Sequence, residues 1–260
     1  MLLFIPAYNC EKQLPRVLDK ITQTIAEYFD EIIIINNRST DRTESVALKY
    51  PSKEYLPLIH VLRNDVNYGL GGSHKVAFEY ALSHKHDYIV VLHGDDQGDI
   101  NDLQAVLESQ EYQKHDCMLG ARFMPDSRLK GYSRFRTLGN RVYNHLFSFV
   151  THQPILDLGS GLNLYKVSSL KSHFYDKFPD HLTFNYYMIL ASHYYHQDIS
   201  FFPISWRSED QKSNVKLMSQ ALEVLHLLAK YKFNPNFIKS EHRSNPIDHY
   251  SYEVLQNGHK

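Results

Sequence analysis

Glu31-Ile32-Ile33-Ile34-Ile35-Asn36-Asn37-Arg38-Ser39-Thr40-Asp41-Arg42-Thr43 is the stretch that decides the architecture. Four consecutive isoleucines form an apolar run too short for a buried helix and suited to a strand covered on both faces. The run stops in a polar loop, where Ser39 or Thr40 can cap a helix running from Asp41 toward Tyr50. The cap explains part of the loop, and Asn36 is expected to point into whatever lies beyond the strand's end.

The same grammar repeats on either side. Leu2 to Ile5 reads as a buried strand, followed by Leu14, Val17, Leu18, Ile21 and Ile25 at helical spacing. Further strands are expected at Leu58 to Leu62, Tyr88 to Leu92 and Cys117 to Ala121. A helix from about Ser73 places Val76, Ala77, Tyr80 and Ala81 on one face. Alternating strands and helices predict an α/β fold with a mostly parallel central sheet flanked by helices. Ligands of such sheets bind outside the carboxyl ends of the strands. The unusual loops sit at those ends: Pro6-Ala7-Tyr8-Asn9, Asn36 to Asp41, Asn67-Tyr68-Gly69-Leu70-Gly71-Gly72 and His93-Gly94-Asp95-Asp96-Gln97.

The second half is less regular. A helix over Thr137 to Val150 is expected to turn Leu138, Val142, Leu146 and Phe149 inward, and another over 215–231 to bury Val215, Met218, Leu222, Leu225 and Leu228. The expected organisation is one domain over 1–233, with halves at 1–121 and 122–233, and a polar tail over 234–260.

Composition narrows the function. Of 260 residues 43% are hydrophobic and 22% charged, as in a folded globular chain. Lys+Arg of 28 against Asp+Glu of 29 gives a net charge of -1, which argues against a nucleic-acid partner. Two cysteines, Cys10 and Cys117, are too few to staple a fold of this size and suit a reducing compartment. Met1 to Ile5 lacks a basic leading region and is cut short by Pro6, a poor signal peptide. No apolar run reaches the roughly 18 residues of a membrane span. The expectation is a cytoplasmic chain whose membrane contact, if any, is peripheral at the inner face.

Individually the motifs have plain explanations. Asp95 and its neighbours suit a hard divalent cation that bridges a diphosphate, yet Asp and Gly also populate ordinary turns. The glycines of 67–72 follow the third strand and have no acidic partner at dinucleotide spacing, so alone they read as a tight turn. The arginines of 122–141 alone read as a solvated surface. Their shared position on one rim favours a site.

Together seven segments resemble the family-2 glycosyltransferases of the GT-A fold, nearest to the dolichyl- and polyprenyl-phosphate sugar synthases. They are Pro6 to Asn9, Asn36 to Thr43, Asn67 to Gly71, His93 to Gln97, Gly120-Ala121-Arg122, Asp157-Leu158-Gly159-Ser160-Gly161 and Pro203-Ile204-Ser205-Trp206-Arg207. The resemblance implies an inverting hexosyl transfer from a UDP- or GDP-sugar, with Mn2+ or Mg2+ on the diphosphate, in cell-envelope glycan synthesis. It assigns Pro6, Ala7, Tyr8, Asn9, Asn36, Ser39, Gly69, Gly71 and Asp95 to the nucleotide-sugar, and Asp95, Gln97 and His93 to the metal. Arg122, Arg134, Arg136, Arg207 and Ser213 fall to an acceptor phosphate, with Asp95 and Arg122 as the catalytic pair. Two positions depart from the pattern: Asn36 stands in the place of an acid, and His93 replaces a carboxylate.

Transfer to a sugar hydroxyl normally needs a carboxylate base. The region where relatives of that type carry one reads Leu182-Thr183-Phe184-Asn185-Tyr186-Tyr187, without an acid. A phosphate acceptor needs no base, so a polyprenyl phosphate is the favoured acceptor, although Asp157 or Asp180 can serve if the fold brings one close. The alternatives are transfer to a hydroxyl of a lipid-linked glycan, and a non-catalytic nucleotide-sugar-binding module.

Overall fold

The computed structural model describes residues 1–51, 53–208 and 217–256, with backbone alone at 217–221. Ten strands are described: β1 (Leu2–Ala7), β2 (Glu31–Asn36), β3 (Leu58–Asn64), β4 (Tyr88–Leu92), β5 (Cys117–Ala121), β6 (Arg128–Lys130), β7 (Leu162–Lys166), β8 (Ile199–Pro203), β9 (Ser205–Arg207) and β10 (Tyr252–Gln256). The helices are α1 (Leu14–Asp19), α2 (Gln23–Ala26), α3 (Thr43–Lys49), α4 (Gly69–Ser83), α5 (Gln104–Glu108), α6 (Arg134–Thr151), α7 (Val167–Leu170), α8 (Phe184–Tyr194) and α9 (Leu217–Phe233).

Eight strands form one sheet in the order β10-β3-β2-β1-β4-β7-β5-β8, and β6 pairs with β9 in a small second one. β3, β2, β1 and β4 run parallel, so the loops after them share an edge. β7 is antiparallel to both β4 and β5, which brings the segment before it, Asp157 to Gly161, to that same edge. The isoleucines of β2 are buried on both faces. Two apolar clusters sandwich the sheet, one with α4 and α8, the other with α1 and α2.

Several expectations change. The single helix over 14–25 is two, because Thr22 caps the second by accepting from the Ile25 amide at 3.4 Å. α4 starts four residues early, so the glycine segment is its first turn. On α6 three of the four residues expected inward face solvent: Leu138, Val142 and Phe149 are exposed, Leu146 is half-buried against the core, and Asn144, Phe147 and Thr151 are buried. The inward face was hidden by polarity, since Asn144 is buried through a bond from its Nδ2 to the Leu156 carbonyl. On α9 Leu228 is buried as expected, but together with Val224, Leu227 and Tyr231, and Leu222 and Leu225 are exposed. Val215 and the Met218 side chain lie outside the described residues. The expected polar tail contributes an edge strand, β10, antiparallel to β3. Among the described residues no helix is long and apolar enough to cross a membrane.

Candidate active site

The loops at the carboxyl edge are laced together by side chains. Asn9, in a left-handed conformation, donates its amide to Ser39 Oγ (3.0 Å), and its Oδ1 accepts from the Thr40 amide (2.8 Å). Tyr8 beside it is half exposed and open to a ligand. Asn36 is buried and engaged at both ends of its amide: its Oδ1 accepts from the Ser39 amide and its Nδ2 donates to Glu44 at 2.7 Å. Asn37, which the sequence did not single out, ties the second loop to the third. It accepts from the Tyr68 amide and from Asn64 Nδ2 and donates to Asn67 Oδ1, each at 2.8 Å.

The glycines have a local reason. A Cβ on Gly69, whose φ is +73°, would stand 2.3 Å from the Asp180 carbonyl oxygen, and one on Gly71 would stand 2.4 Å from that of Pro179. These positions let α4 press against the 178–181 loop, where the Gly71 amide donates to the Asp180 carbonyl at 2.8 Å. Behind them Lys75 Nζ is buried against Asp180 Oδ1 (2.7 Å) and Tyr250 Oη (3.0 Å). Burial lowers the Lys75 pKa, and the Asp180 carboxylate offsets part of that.

At the end of β4, Asp95 caps its own turn by accepting from the Gln97 amide at 3.1 Å. His93 is packed so closely that a Cβ on Gly161 would meet its ring at 2.5 Å. Its Nε2 is buried without a hydrogen-bond partner, 6.1 Å separates its ring centroid from that of buried His74, and burial pushes its pKa down to about 4. It is therefore a neutral imidazole at neutral pH. Asp96, which the sequence left inside the motif, is the buried hub of a cationic cluster. It meets Arg16 Nε (2.6 Å), Lys20 Nζ (2.8 Å) and Arg207 Nη2. Arg207 also donates its Nε to the Asp96 carbonyl and its amide to the Gln97 carbonyl, so β9 is sewn to the acidic loop. The doubled Asp of 95–96 was the available signal.

Arg122 is committed as well. Its Nε and Nη2 form a fork on Asp157 at 2.8 and 2.7 Å, and its amide donates to the same carboxylate. Phe123, Tyr132 and Trp206 surround the guanidinium. Burial alone would lower its pKa, but Asp157 more than offsets this and raises it. Arg134 is exposed and Arg136 half-buried at the start of α6, which Asn140 ties to Tyr132 at 2.8 Å. Pro6 and Ala7 end β1 at the rim, whereas Ser213 lies outside the described residues. The rim thus gathers Tyr8, Asn9, Ser39, Asp95, Gln97 and Arg207, while Asn36, Gly69, Gly71 and Arg122 serve its framework.

As donors for a cation, the Asp95 carboxylate and Gln97 amide are the hard oxygens that Mn2+ or Mg2+ favours. Among the described residues no three His, Cys, Asp or Glu side chains stand at ligand spacing.

Comparison with known proteins fits this geometry. The sequence model of the family described as glycosyl transferase family 2 matches residues 3–174. The chain is 34% identical over 115 residues to dolichyl-phosphate beta-glucosyltransferase ALG5A of Trichomonas vaginalis, covering 42% of this chain and 34% of that one. It is 25% identical over 171 residues to dodecaprenyl-phosphate galacturonate synthase of Rhizobium johnstonii, covering 65% and 48%. The chain therefore spans a third to a half of these two relatives. The GT-A fold is shared with Mycobacterium tuberculosis glucosyl-3-phosphoglycerate synthase, solved with Mn2+, UDP-glucose and phosphoglyceric acid. There the TM-score is 0.62 at 14% identity, over 89% of this chain and 79% of that one.

Proposed function

Because the chain belongs to glycosyl transferase family 2, we propose that it moves a sugar from a nucleotide-sugar donor to a lipid-borne phosphate of the polyprenyl type. The observation that carries the acceptor is the state of the two candidate bases. Asp157 accepts on both oxygens, from the Arg122 fork and the Gly159 amide, and Asp180 is paired through Oδ1 with buried Lys75 and Tyr250. Asp157 thus has both oxygens occupied, and Asp180 is engaged as the counter-ion of Lys75 and not as the base a sugar hydroxyl would need. A phosphate acceptor arrives already ionised. The names of the two curated relatives point the same way.

In this reading an acceptor phosphate oxygen attacks the anomeric carbon as the bond to the nucleoside diphosphate breaks, inverting that carbon. Tyr8, Asn9 and Ser39 line the nucleoside end. Asp95 and Gln97 offer the oxygens that hold a divalent cation. When bound, that ion neutralises charge on the diphosphate leaving group. His93, neutral and turned toward His74, shapes the wall of the site. Arg134 and Arg136 present forked donors to the acceptor phosphate, a geometry lysine lacks. Arg207 backs the acidic loop, and Ser213 belongs to the same acceptor assignment.

A second reading, a donor-binding module without turnover, is favoured by His93 standing where a carboxylate is expected. One assay separates the readings. Radiolabelled nucleotide-sugars are offered with Mn2+ to a short polyprenyl phosphate, a neutral polyprenol and a lipid-linked saccharide. The expected result is label on the phosphate alone, lost in Asp95→Ala. Label on the saccharide with none on the phosphate overturns the acceptor, and no turnover with any donor supports the module.

A further inference from the structure

An unexplained apolar surface lies on two adjoining helices. On α6 Phe135 (77% exposed), Leu138 (63%), Val142 (48%) and Phe149 (64%) all face solvent. At 100° per residue they fall within about a quarter of the helix circumference, opposite buried Asn144, Phe147 and Thr151. On α9 Leu222, Leu225 and Phe233 form a second such ridge, opposite buried Val224, Leu227 and Tyr231. The two helices pack together, and Lys232 Nζ lies 4.1 Å from the Phe149 ring centroid, so the ridges adjoin.

Charge identifies the occupant. Residues 134–151 contain Arg134, Arg136 and Arg141 and no acid, and α9 adds Lys230 and Lys232 against the single acid Glu223. Arg134 and Arg141 are exposed along one flank of the α6 ridge. This is a local basic excess in a chain of net charge -1. A second copy laid on the ridge would bring arginine against arginine. An apolar ridge with a basic flank is the composition of a helix lying in a lipid headgroup region.

We propose that α6, with α9 beside it, docks this protein on an anionic bilayer. Phe135, Leu138, Val142 and Phe149 enter the acyl boundary, while Arg141 meets a headgroup phosphate and Arg134 stays at the rim for the acceptor. The second turn of α6 is tied through Asn140 to Tyr132, which flanks Arg122, so the bilayer would lie against the acceptor side of the rim. The inference deepens the reading of a lipid-borne acceptor and rests on it for its purpose.

The test is sedimentation of the full chain with vesicles of phosphatidylcholine alone and mixed with phosphatidylglycerol, at low and high salt. Binding is expected to need the anionic lipid and to fade with salt. Arg141→Gln weakens it by roughly fivefold, and Phe135→Gln or Leu138→Gln by roughly tenfold each. These side chains are exposed, so circular dichroism should find the variants folded. In Phe135→Trp the new emission shifts to the blue on adding anionic vesicles, against the background of Trp206. Unshifted emission at low salt, or unchanged binding by the glutamine variants, overturns the proposal. So does a concentration-dependent dimer without vesicle binding, which would make a second copy the occupant. Neither donor nor acceptor enters this assay, so its failure is distinct from failure of sugar transfer.

Discussion

Asp157→Asn is the sharpest test of the framework around the rim. The Asp157 side chain is 1% exposed and that of Arg122 10%. The carboxylate accepts from the Arg122 amide, Nε and Nη2 and from the Gly159 amide. Asparagine keeps the shape but turns an NH2 toward one of these donors and leaves the guanidinium without a counter-charge. Breaking a buried pair in this way costs about 3–5 kcal/mol, a large share of the roughly 5–15 kcal/mol that holds a domain folded. At about 2–4 °C per kcal/mol for a chain near this size, the expected fall in Tm is roughly 6–20 °C. Arg122→Met should cost a similar amount, but the double variant Arg122→Met/Asp157→Asn less than the two single losses added together. Urea unfolding followed by tryptophan fluorescence is the assay, because the only tryptophan, Trp206, lies 5.0 Å from the guanidinium. A loss below about 1 kcal/mol in Asp157→Asn, or additivity within about 0.5 kcal/mol in the cycle, would refute the account.

Acid should weaken the fold through His74, which burial pushes down from 6.5 to about 3. The unfolded chain takes up a proton near its ordinary pKa that the fold refuses, so stability falls as pH drops from about 6.5, by about 1.4 kcal/mol per pH unit. His93 adds a parallel slope down to about 4, and His74→Leu should remove about half the combined slope. Urea midpoints between pH 6 and 5 check this, and an undiminished slope rules it out. Asp96→Asn leaves Arg16, Lys20 and Arg207 facing one another, for a loss of about 3 kcal/mol or more that added salt partly restores. Thermal melts at two salt concentrations read it, and salt-independence would contradict it. Gly69→Ala combines a left-handed φ with a backbone clash and should cost more than about 2 kcal/mol. Gly139→Ala, mid-helix with nothing within 4 Å, should instead gain roughly 0.5–1 kcal/mol. Equal Tm shifts in the two variants would undercut the packing argument.

The strands were readable because burial on both faces writes itself as an unbroken apolar run, as in Ile32 to Ile35. The rim loops were readable because each interrupts such a run with residues no core would hold. Helix faces were harder. The apolar stripe of α6 has core periodicity, and only the tertiary partner, Leu156 for Asn144, shows that the other face is buried. β10 was illegible for a similar reason: Tyr252-Glu253-Val254-Leu255-Gln256 is an ordinary short segment until β3 provides its ladder. Within the site, residue type located the loops but not the commitments of their side chains. Asn36 reads as a ligand contact until Glu44 takes its amide, and Arg122 reads as a phosphate anchor until Asp157, 35 positions away, takes its fork. Arg207 and Asp96 stand 111 positions apart, and no local pattern links them.

β10 also bears on how this chain is made. β3 ends at Asn64 and its outer neighbour begins only at Tyr252, so synthesis leaves that edge without its partner while the intervening residues are added. At about 5–20 residues per second the interval is roughly ten to forty seconds. An open strand edge invites pairing with another chain. Tyr250, which braces Lys75 behind the glycine turn, arrives in the same late segment. The glycine turn at the start of α4 therefore acquires its brace long after it is translated, and nascent chains held close together are exposed to strand exchange at β3 until then.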